Sequence, residues 1–478
     1  MSDTLTALDA TFLELEQHDE GALMHIGGVM VFDPLPEGGA PTIEQLRASL
    51  ECRLLQLPRY SQRLSATRTG GLAWPHWTTD DRFRFQDHVV HVALPAPGGK
   101  AELSSWAADF YSHRLDRTRP LWELALVEGL ADGRWVLAHK THHCLVDGVG
   151  SVDVGNLLLD TERNPRNGPT GSVTAPPTGE EQEPWPFPAQ SIANAAHAGA
   201  GVARAGLHAA LHPREALERS RSLAELLVRD ELIGAPHTSL GVPIGSTRRF
   251  AVLSRPLAEL KTIARGFGGS INDAVLAACT TGLRRLLLSR GEALPSRGLR
   301  AMVPMNVRQS SERLMLGNRV SSLFVRLPVA TPDPYERHRL IVEETARLKS
   351  SSAATGAQTA IDLAALAPPI VHAAFARSLY ATRLFNVTIT NVPGAQIPVY
   401  AFGAQLREVW PVVPLAAAHA VGVAIFSYNG LVTFGVIADS ESTPDINVLV
   451  DGIEEGIDDL LVPLRNRDRR ARVKPATG

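Results

Sequence analysis

Cysteine is scarce in this chain. Cys52, Cys144 and Cys279 are the only three in 478 residues, and no two form a CxxC pair. Isolated thiols argue against a disulfide framework or a zinc ribbon and fit a reducing compartment. Charge of one sign is lacking too: 47 Lys and Arg stand against 50 Asp and Glu, a net of −3, which makes no case for nucleic acid. Long hydrophobic runs are missing. No stretch reaches the ~18 apolar residues of a spanning helix. Val412 to Phe426 comes nearest, and Pro414, His419 and Gly422 interrupt it. The opening Met1-Ser2-Asp3-Thr4 has neither a basic nor an apolar signal region, so a cytoplasmic protein is expected. There is no internal repeat, no GxGxxG after a strand, no Walker loop and no GxSxG elbow.

What is present suits a soluble globular chain long enough for two or three domains. Hydrophobic residues make up 44% and charged residues 20%. One composition break divides it. Residues 164–190 hold seven prolines and the acidic run Glu180-Glu181-Gln182-Glu183, so a crossover linker is expected. Alanine-rich sequence follows, giving a helical connector over 191–245. The segments 1–163 and 246–464 read as two domains, and the arginine-rich 465–478 as a frayed, disordered tail.

Periodicity places the elements. Met24 to Asp33 predicts a strand. Thr42-x-x-Gln45 predicts a capped helix that buries Ile43, Leu46, Leu50 and Leu54. Phe83 to Leu94 predicts a strand and Ala101 to Leu115 a helix. Trp122 to Leu130 and Arg134 to His142 form a hairpin through Ala131-Asp132-Gly133. In the second half, Ser270-x-x-Asp273 starts a helix with a stripe at Ile271, Val275, Cys279, Leu283 and Leu286. Strands are expected at 300–308 and up to Pro328, helices at 334–350 and 357–382, and strands at 386–392, 405–413 and 419–428. Asn429-Gly430 joins the last of these to 431–438, and Thr443-Pro444 opens a final helix.

The chemistry concentrates in Thr141-His142-His143-Cys144-Leu145-Val146-Asp147-Gly148. An imidazole titrates near neutrality and suits a general base. Asp147 and Gly148 suit a sharp turn into a helix. A polar strand end before a capped helix accounts for any one of these residues, but not for the paired histidines, spaced acid and glycine together. In a regular strand, adjacent histidines point to opposite faces. If one reaches a catalytic channel, the other is then buried and structural. Cys144 as a nucleophile is disfavoured. A metal-dependent hydrolase using His142, His143 and Asp147 has poor geometry for the same reason, and no third histidine stands at ligand spacing.

His142-His143-x-x-x-Asp147-Gly148 resembles the HHxxxDG motif of the acyl-CoA-dependent acyltransferase superfamily. That superfamily includes chloramphenicol acetyltransferase, peptide-synthetase condensation domains and the bacterial wax ester synthase/diacylglycerol acyltransferases. Three further segments resemble the last branch: Leu8 to Leu13 with Met24-His25-Ile26-Gly27, Pro120-Leu121-Trp122, and Asn272-Asp273-Ala274-Val275-Leu276-Ala277. Pro304 to Arg308 and Gly317 to Ser322 also match, so the likeness runs from Leu8 to about Asp439. The Asp-Phe-Gly-Trp-Gly motif of plant-type relatives is replaced by Glu408-Val409-Trp410-Pro411-Val412-Val413-Pro414.

The resemblance implies two chloramphenicol-acetyltransferase-like α/β domains, each a mixed sheet with helices, with a channel between them. It implies direct transfer of a long-chain acyl group from acyl-CoA, a co-substrate rather than a bound cofactor, to diacylglycerol or a long-chain alcohol. His143 is then the base, His142 its support, and Gly148 a close-approach position. Asn272 holds the acceptor or polarises the carbonyl. Asp147, which the residues alone also allow as an acid orienting His143, instead pairs with Arg308, Arg319 being the second choice. Peripheral contact with the inner membrane face or lipid inclusions is expected. An acyltransferase for a polyketide or peptide acceptor and a non-catalytic lipid-binding relative stay open as alternatives.

Overall fold

Period-two alternation gives the first sheet two working faces. The computed structural model describes residues 5, 7–54, 57–65, 75–145, 158–164, 234–306, 320–350 and 384–473. Helix α1 (Ala7–His18) precedes strand β1 (His25–Phe32), and α2 (Ile43–Leu54) follows it. A small ribbon, β2 (Gln62–Leu64) with β3 (Trp77–Thr79), comes before β4 (Val89–Ala93), α3 (Lys100–Ser112), β5 (Trp122–Glu128) and β6 (Trp135–His142). Phe32, Leu124, Leu126, Trp135 and Leu137 pack towards Leu46, Leu50 and Leu54 of α2. Val29, Val31, Ala125, Val127, Val136 and Ala138 face the other way, onto Leu103, Ala107 and Tyr111 of α3.

The α2 capping box forms as its sequence predicts: Gln45 N–H donates to Thr42 Oγ1 at 3.2 Å, and Thr42 N–H to Gln45 Oε1 at 2.9 Å. Ile43 is only partly buried. The expected strand at Phe83 to Leu94 is half as long. Phe85–His88 makes a 3-10 turn, and only Val89–Ala93 pairs with β5.

The second half contributes β7 (Arg248–Pro256), α4 (Leu257–Phe267), α5 (Ile271–Ser289), β8 (Leu299–Asn306), β9 (Val320–Leu327), α6 (Pro334–Ser350) and β10 (Val387–Pro393). After these come β11 (Tyr400–Ala401), β12 (Ala404–Val412), β13 (Val421–Tyr428), β14 (Leu431–Asp439) and α7 (Ile446–Val473). One sheet runs β7-β14-β13-β10-β8-β9, the other β11-β12-β1-β6-β5-β4. Each mixes parallel and antiparallel pairs. Residues 400–412 therefore leave the segment expected as the second domain, 246–464, and extend the first sheet, with Gly27 opposite Val412.

Two joints tie the halves. Helix α3 packs on β7, with Lys100 Nζ donating to Val252 O at 2.8 Å and Arg248 N–H to Ser112 Oγ at 2.9 Å. The buried Arg248 guanidinium also donates to Gly21 O and, at 2.6 Å, to Gly245 O. Asn429 and Gly430 take the positive φ values their hairpin requires, 44° and 83°. The last helix does not fray at Arg465 as expected. It continues to Val473, with Arg465 paired to Glu259 at 2.7 Å. The remaining tail, nearly all of the expected linker, connector residues 191–233 and the expected helix at 357–382 lie outside the described residues. Connector residues 234–245 are neither helix nor strand.

Candidate active site

Strand β6 becomes polar at its end, where Lys140, Thr141 and His142 are buried in succession. The Lys140 ammonium donates to the carbonyls of Phe110 and His113 at 3.0 and 3.2 Å and meets Glu123 at 2.9 Å. Carbonyls at the end of a helix lack intrahelical partners and attract a cation. These contacts pin β6 to the end of α3. Met24-His25-Ile26-Gly27 serves the same place. A Cβ on Gly27 would lie 2.6 Å from the Tyr111 hydroxyl, which donates to His139 O at 2.7 Å.

His142 has no exposed surface. The Cys144 N–H donates to its Nδ1 at 3.1 Å, so the hydrogen-bond network assigns the ring hydrogen to Nε2. Nε2 faces the Glu16 carboxylate oxygen Oε2 at 3.5 Å, just beyond hydrogen-bond length. Arg117 reaches the same oxygen through Nε and Nη2 at 3.2 and 3.0 Å, and Met24 N–H donates to Oε1 at 3.3 Å. Burial pushes the Glu16 carboxyl up, but His142 and Arg117 together outweigh it and hold its pKa at about 2. A buried anion thus sits behind the first histidine. Across the ladder from His142 stands His25, which donates from Nε2 to Tyr111 O at 2.9 Å. Burial, with Lys140 adding to it, pushes its pKa down to about 3, and burial pushes that of His139 to about 4. Both rings are neutral at neutral pH.

His143 is differently placed. Strand β6 stops at His142, so His143 opens the following turn and is half-buried. Strict alternation of faces ends one residue short of it. Its N–H donates to Met24 O at 2.8 Å. Its ring stacks on Phe12 of α1, with centroids 4.0 Å apart and planes 17° from parallel. Cys144 is buried, and burial raises its thiol well above the ordinary range, so it carries no thiolate at neutral pH. Asp147, Gly148, Arg308 and Arg319 lie outside the described residues.

In the second half, Asp273 closes the expected capping box of α5. Its Oδ2 accepts from Ser270 N–H and Oγ at 2.6 and 2.7 Å, and its Oδ1 from Thr345 Oγ1 at 2.7 Å. Asn272, one residue earlier, is half-buried, and its Oδ1 accepts from Asn391 Nδ2 of β10 at 3.3 Å. Among the described residues, no three or more His, Cys, Asp or Glu side chains group as a metal site. No helix among them is long and apolar enough to cross a membrane.

The family model described as wax ester synthase/diacylglycerol acyltransferase catalytic domain matches residues 5–275, and the corresponding C-terminal domain matches 316–461. The chain belongs to the wax ester synthase/diacylglycerol acyltransferase family. It is 32% identical over 474 residues to a Mycobacterium tuberculosis protein named "Probable diacylglycerol O-acyltransferase tgs1", covering 97% of this chain and 96% of that one. It is similar to the solved wax ester synthase/diacylglycerol acyltransferase from Marinobacter aquaeolei VT8, with 27% identity, a TM-score of 0.68, and 96% and 99% of the two chains covered. The first condensation domain of the CDA synthetase shares the two-domain fold at 16% identity and a TM-score of 0.62, over 97% of each chain.

Within this family member the sequence reading overlooked Phe12, Glu16, Arg117 and Asn391. Phe12 and Glu16 stand four apart on α1, the spacing that puts two side chains on one helix face. That spacing, and an acid set among Leu13, Leu15 and Phe12, was the available signal. Arg117 and Asn391 left none, because only the fold brings them to their partners.

Proposed function

We propose that this family member transfers an acyl group from acyl-CoA directly to the hydroxyl of diacylglycerol or a long-chain alcohol, forming triacylglycerol or wax ester, with His143 as the general base. The observation that carries this reading is the contrast between the two adjacent histidines. His142 is sealed against Glu16 and the Cys144 amide, whereas His143 stands half-buried at the strand's end with its ring face held by Phe12.

The chemistry needs few parts. His143 removes the alcohol proton as the oxygen attacks the thioester carbonyl. The tetrahedral intermediate then collapses, the C–S bond breaks, and the imidazolium returns the proton to the departing thiolate. No acyl-enzyme forms, in keeping with a Cys144 buried as the thiol. Asn391 orients the Asn272 carboxamide, and the NH2 end of that amide is the donor we assign to the carbonyl or the acceptor. Asp147 pairs with Arg308 to hold the turn, and Gly148 lets substrate approach. The channel lies between the two halves, acyl-CoA entering from one side and the alcohol from the other. Acceptors of this kind reside in lipid, so the enzyme works by peripheral contact with a membrane or lipid inclusion.

The test supplies radiolabelled acyl-CoA with diacylglycerol and a series of primary alcohols, with and without lipid vesicles. Ester formation that rises with acceptor chain length and with vesicles is expected, since each buried methylene contributes about 0.8 kcal/mol. Release of free fatty acid alone, or preference for short polar acceptors, contradicts it.

A further inference from the structure

Helix α1 lies over the paired histidines with one stripe. Asp9, Phe12 and Glu16 fall at i, i+3 and i+7, a single helix face. Phe12 stacks on the His143 ring and Glu16 faces His142 Nε2. Glu16 also reaches the segment that supports His143 from the other side: Met24 N–H donates to Glu16 Oε1 at 3.3 Å, and Met24 O receives His143 N–H at 2.8 Å. The His142 carbonyl in turn accepts from Leu145 N–H at 2.9 Å, closing the turn in which His143 sits. One carboxylate therefore touches both flanks of His143, and Arg117 neutralises it.

We infer that α1 is a positioning element of the transfer site: Phe12 sets the plane of the His143 ring, and the Glu16–Arg117 pair sets His142 and the Met24 peptide on which the His143 backbone rests. None of these three residues touches the reacting atoms. They act through His143, whose ring must sit within about an ångström of a productive pose for proton transfer. The geometry divides the work. Stacking opposes rotation of the ring about its Cβ–Cγ bond, and the Met24 and His142 contacts fix the backbone from which it projects. The inference rests on the reading of His143 as base.

The test uses the full chain and measures kcat, KM for acyl-CoA, and melting temperature for five proteins. These are wild type, Glu16→Gln, Glu16→Gln with Arg117→Met, Phe12→Tyr and Phe12→Leu. The double variant removes both charges of the pair, so neither is left unpaired. Glu16→Gln and the double variant are expected to lose on the order of 10²-fold in kcat while KM for acyl-CoA is unchanged. Phe12→Tyr keeps the flat ring and retains kcat, whereas Phe12→Leu keeps apolar bulk and loses it several-fold. Folded Glu16→Gln or double variant with wild-type kcat overturns the inference. So does a Phe12→Leu protein that matches Phe12→Tyr. The Phe12 pair leaves no buried charge unpaired and carries the test whatever the folding of the charge variants. If wild type transfers no acyl group at all, the functional reading falls and this inference with it. If wild type turns over and the variants match it, this inference falls alone.

Discussion

The two halves of the molecule bury different things. Around the end of β6, the first half buries His25, Lys140, Thr141, His142 and the Glu16 carboxylate beside the half-buried His143. The interface of α5 and α7 in the second half buries Ala278, Cys279, Leu283, Leu449, Ile453 and Ile457, and lets the helices approach through glycines. A Cβ on Gly282 would lie 2.6 Å from Leu449 O, and one on Gly452 would lie 2.8 Å from the Gly282 Cα. The contrast teaches where stability is sacrificed and where it is supplied. Buried polar groups need complete partners and contribute little net stability even when they have them. Close apolar packing contributes most of it. The polar cluster that orients the base is therefore held up by apolar helix packing, and α5 itself carries Asn272 in its first turn.

Acid acts first on the buried polar groups. Glu16, with its pKa depressed to about 2, contributes stability that is complete above its ordinary 4.5 and lost as pH falls towards 2. His25 and His139 are buried neutral, at about 3 and 4, so the unfolded chain takes up protons first as pH falls below 6.5. All three losses run in the same direction. One pKa unit is worth about 1.4 kcal/mol, so together they remove several kcal/mol on the way down. The melting temperature should fall between about pH 6.5 and about pH 4, and His139→Phe should make the fall shallower. A melting temperature flat across that range would show that these groups are not buried as described.

Overpacking breaks the other side. Gly282→Val forces α5 and α7 apart and should cost about 1–3 kcal/mol, while the kcat of the folded fraction stays at the wild-type value. A drop in kcat at saturating substrate, measured on folded protein, would mean that the α5–α7 contact does more than support. The smallest expected effect sharpens the comparison at a single helix start. Asp273→Asn weakens the α5 capping box and should cost about 1 kcal/mol without changing kcat. Asn272→Ala, one residue earlier, should lower kcat and leave the melting temperature alone.

Local structure was legible in the sequence because local physics sets it. The Thr42 and Ser270 capping boxes and the Asn429-Gly430 turn all act within a few residues. The pairing of β12 with β1 was not legible. It joins segments nearly the whole chain apart, and alternation in Ala404–Val412 does not name the neighbour. The continuation of α7 past Arg465 was missed because a run of like charges suggested fraying, whereas arginine is a good helix former and Glu259 pairs with Arg465. At the site, the two histidines announced themselves, but the helix over them did not. Its contribution depends on Glu16 meeting Arg117 and Met24, and local spacing cannot reveal either meeting.

The central claim is that two adjacent histidines hold different jobs. Its most direct measurement sets His143→Ala beside His142→Ala, with kcat and melting temperature taken on each. His143→Ala should keep close to the wild-type melting temperature and lose on the order of 10²–10⁴-fold in kcat. His142→Ala should melt lower, because the Glu16 anion and the Cys144 amide each lose a buried partner. A folded His143→Ala protein with near-wild-type turnover would contradict the claim. So would a His142→Ala protein that melts like wild type and is inactive.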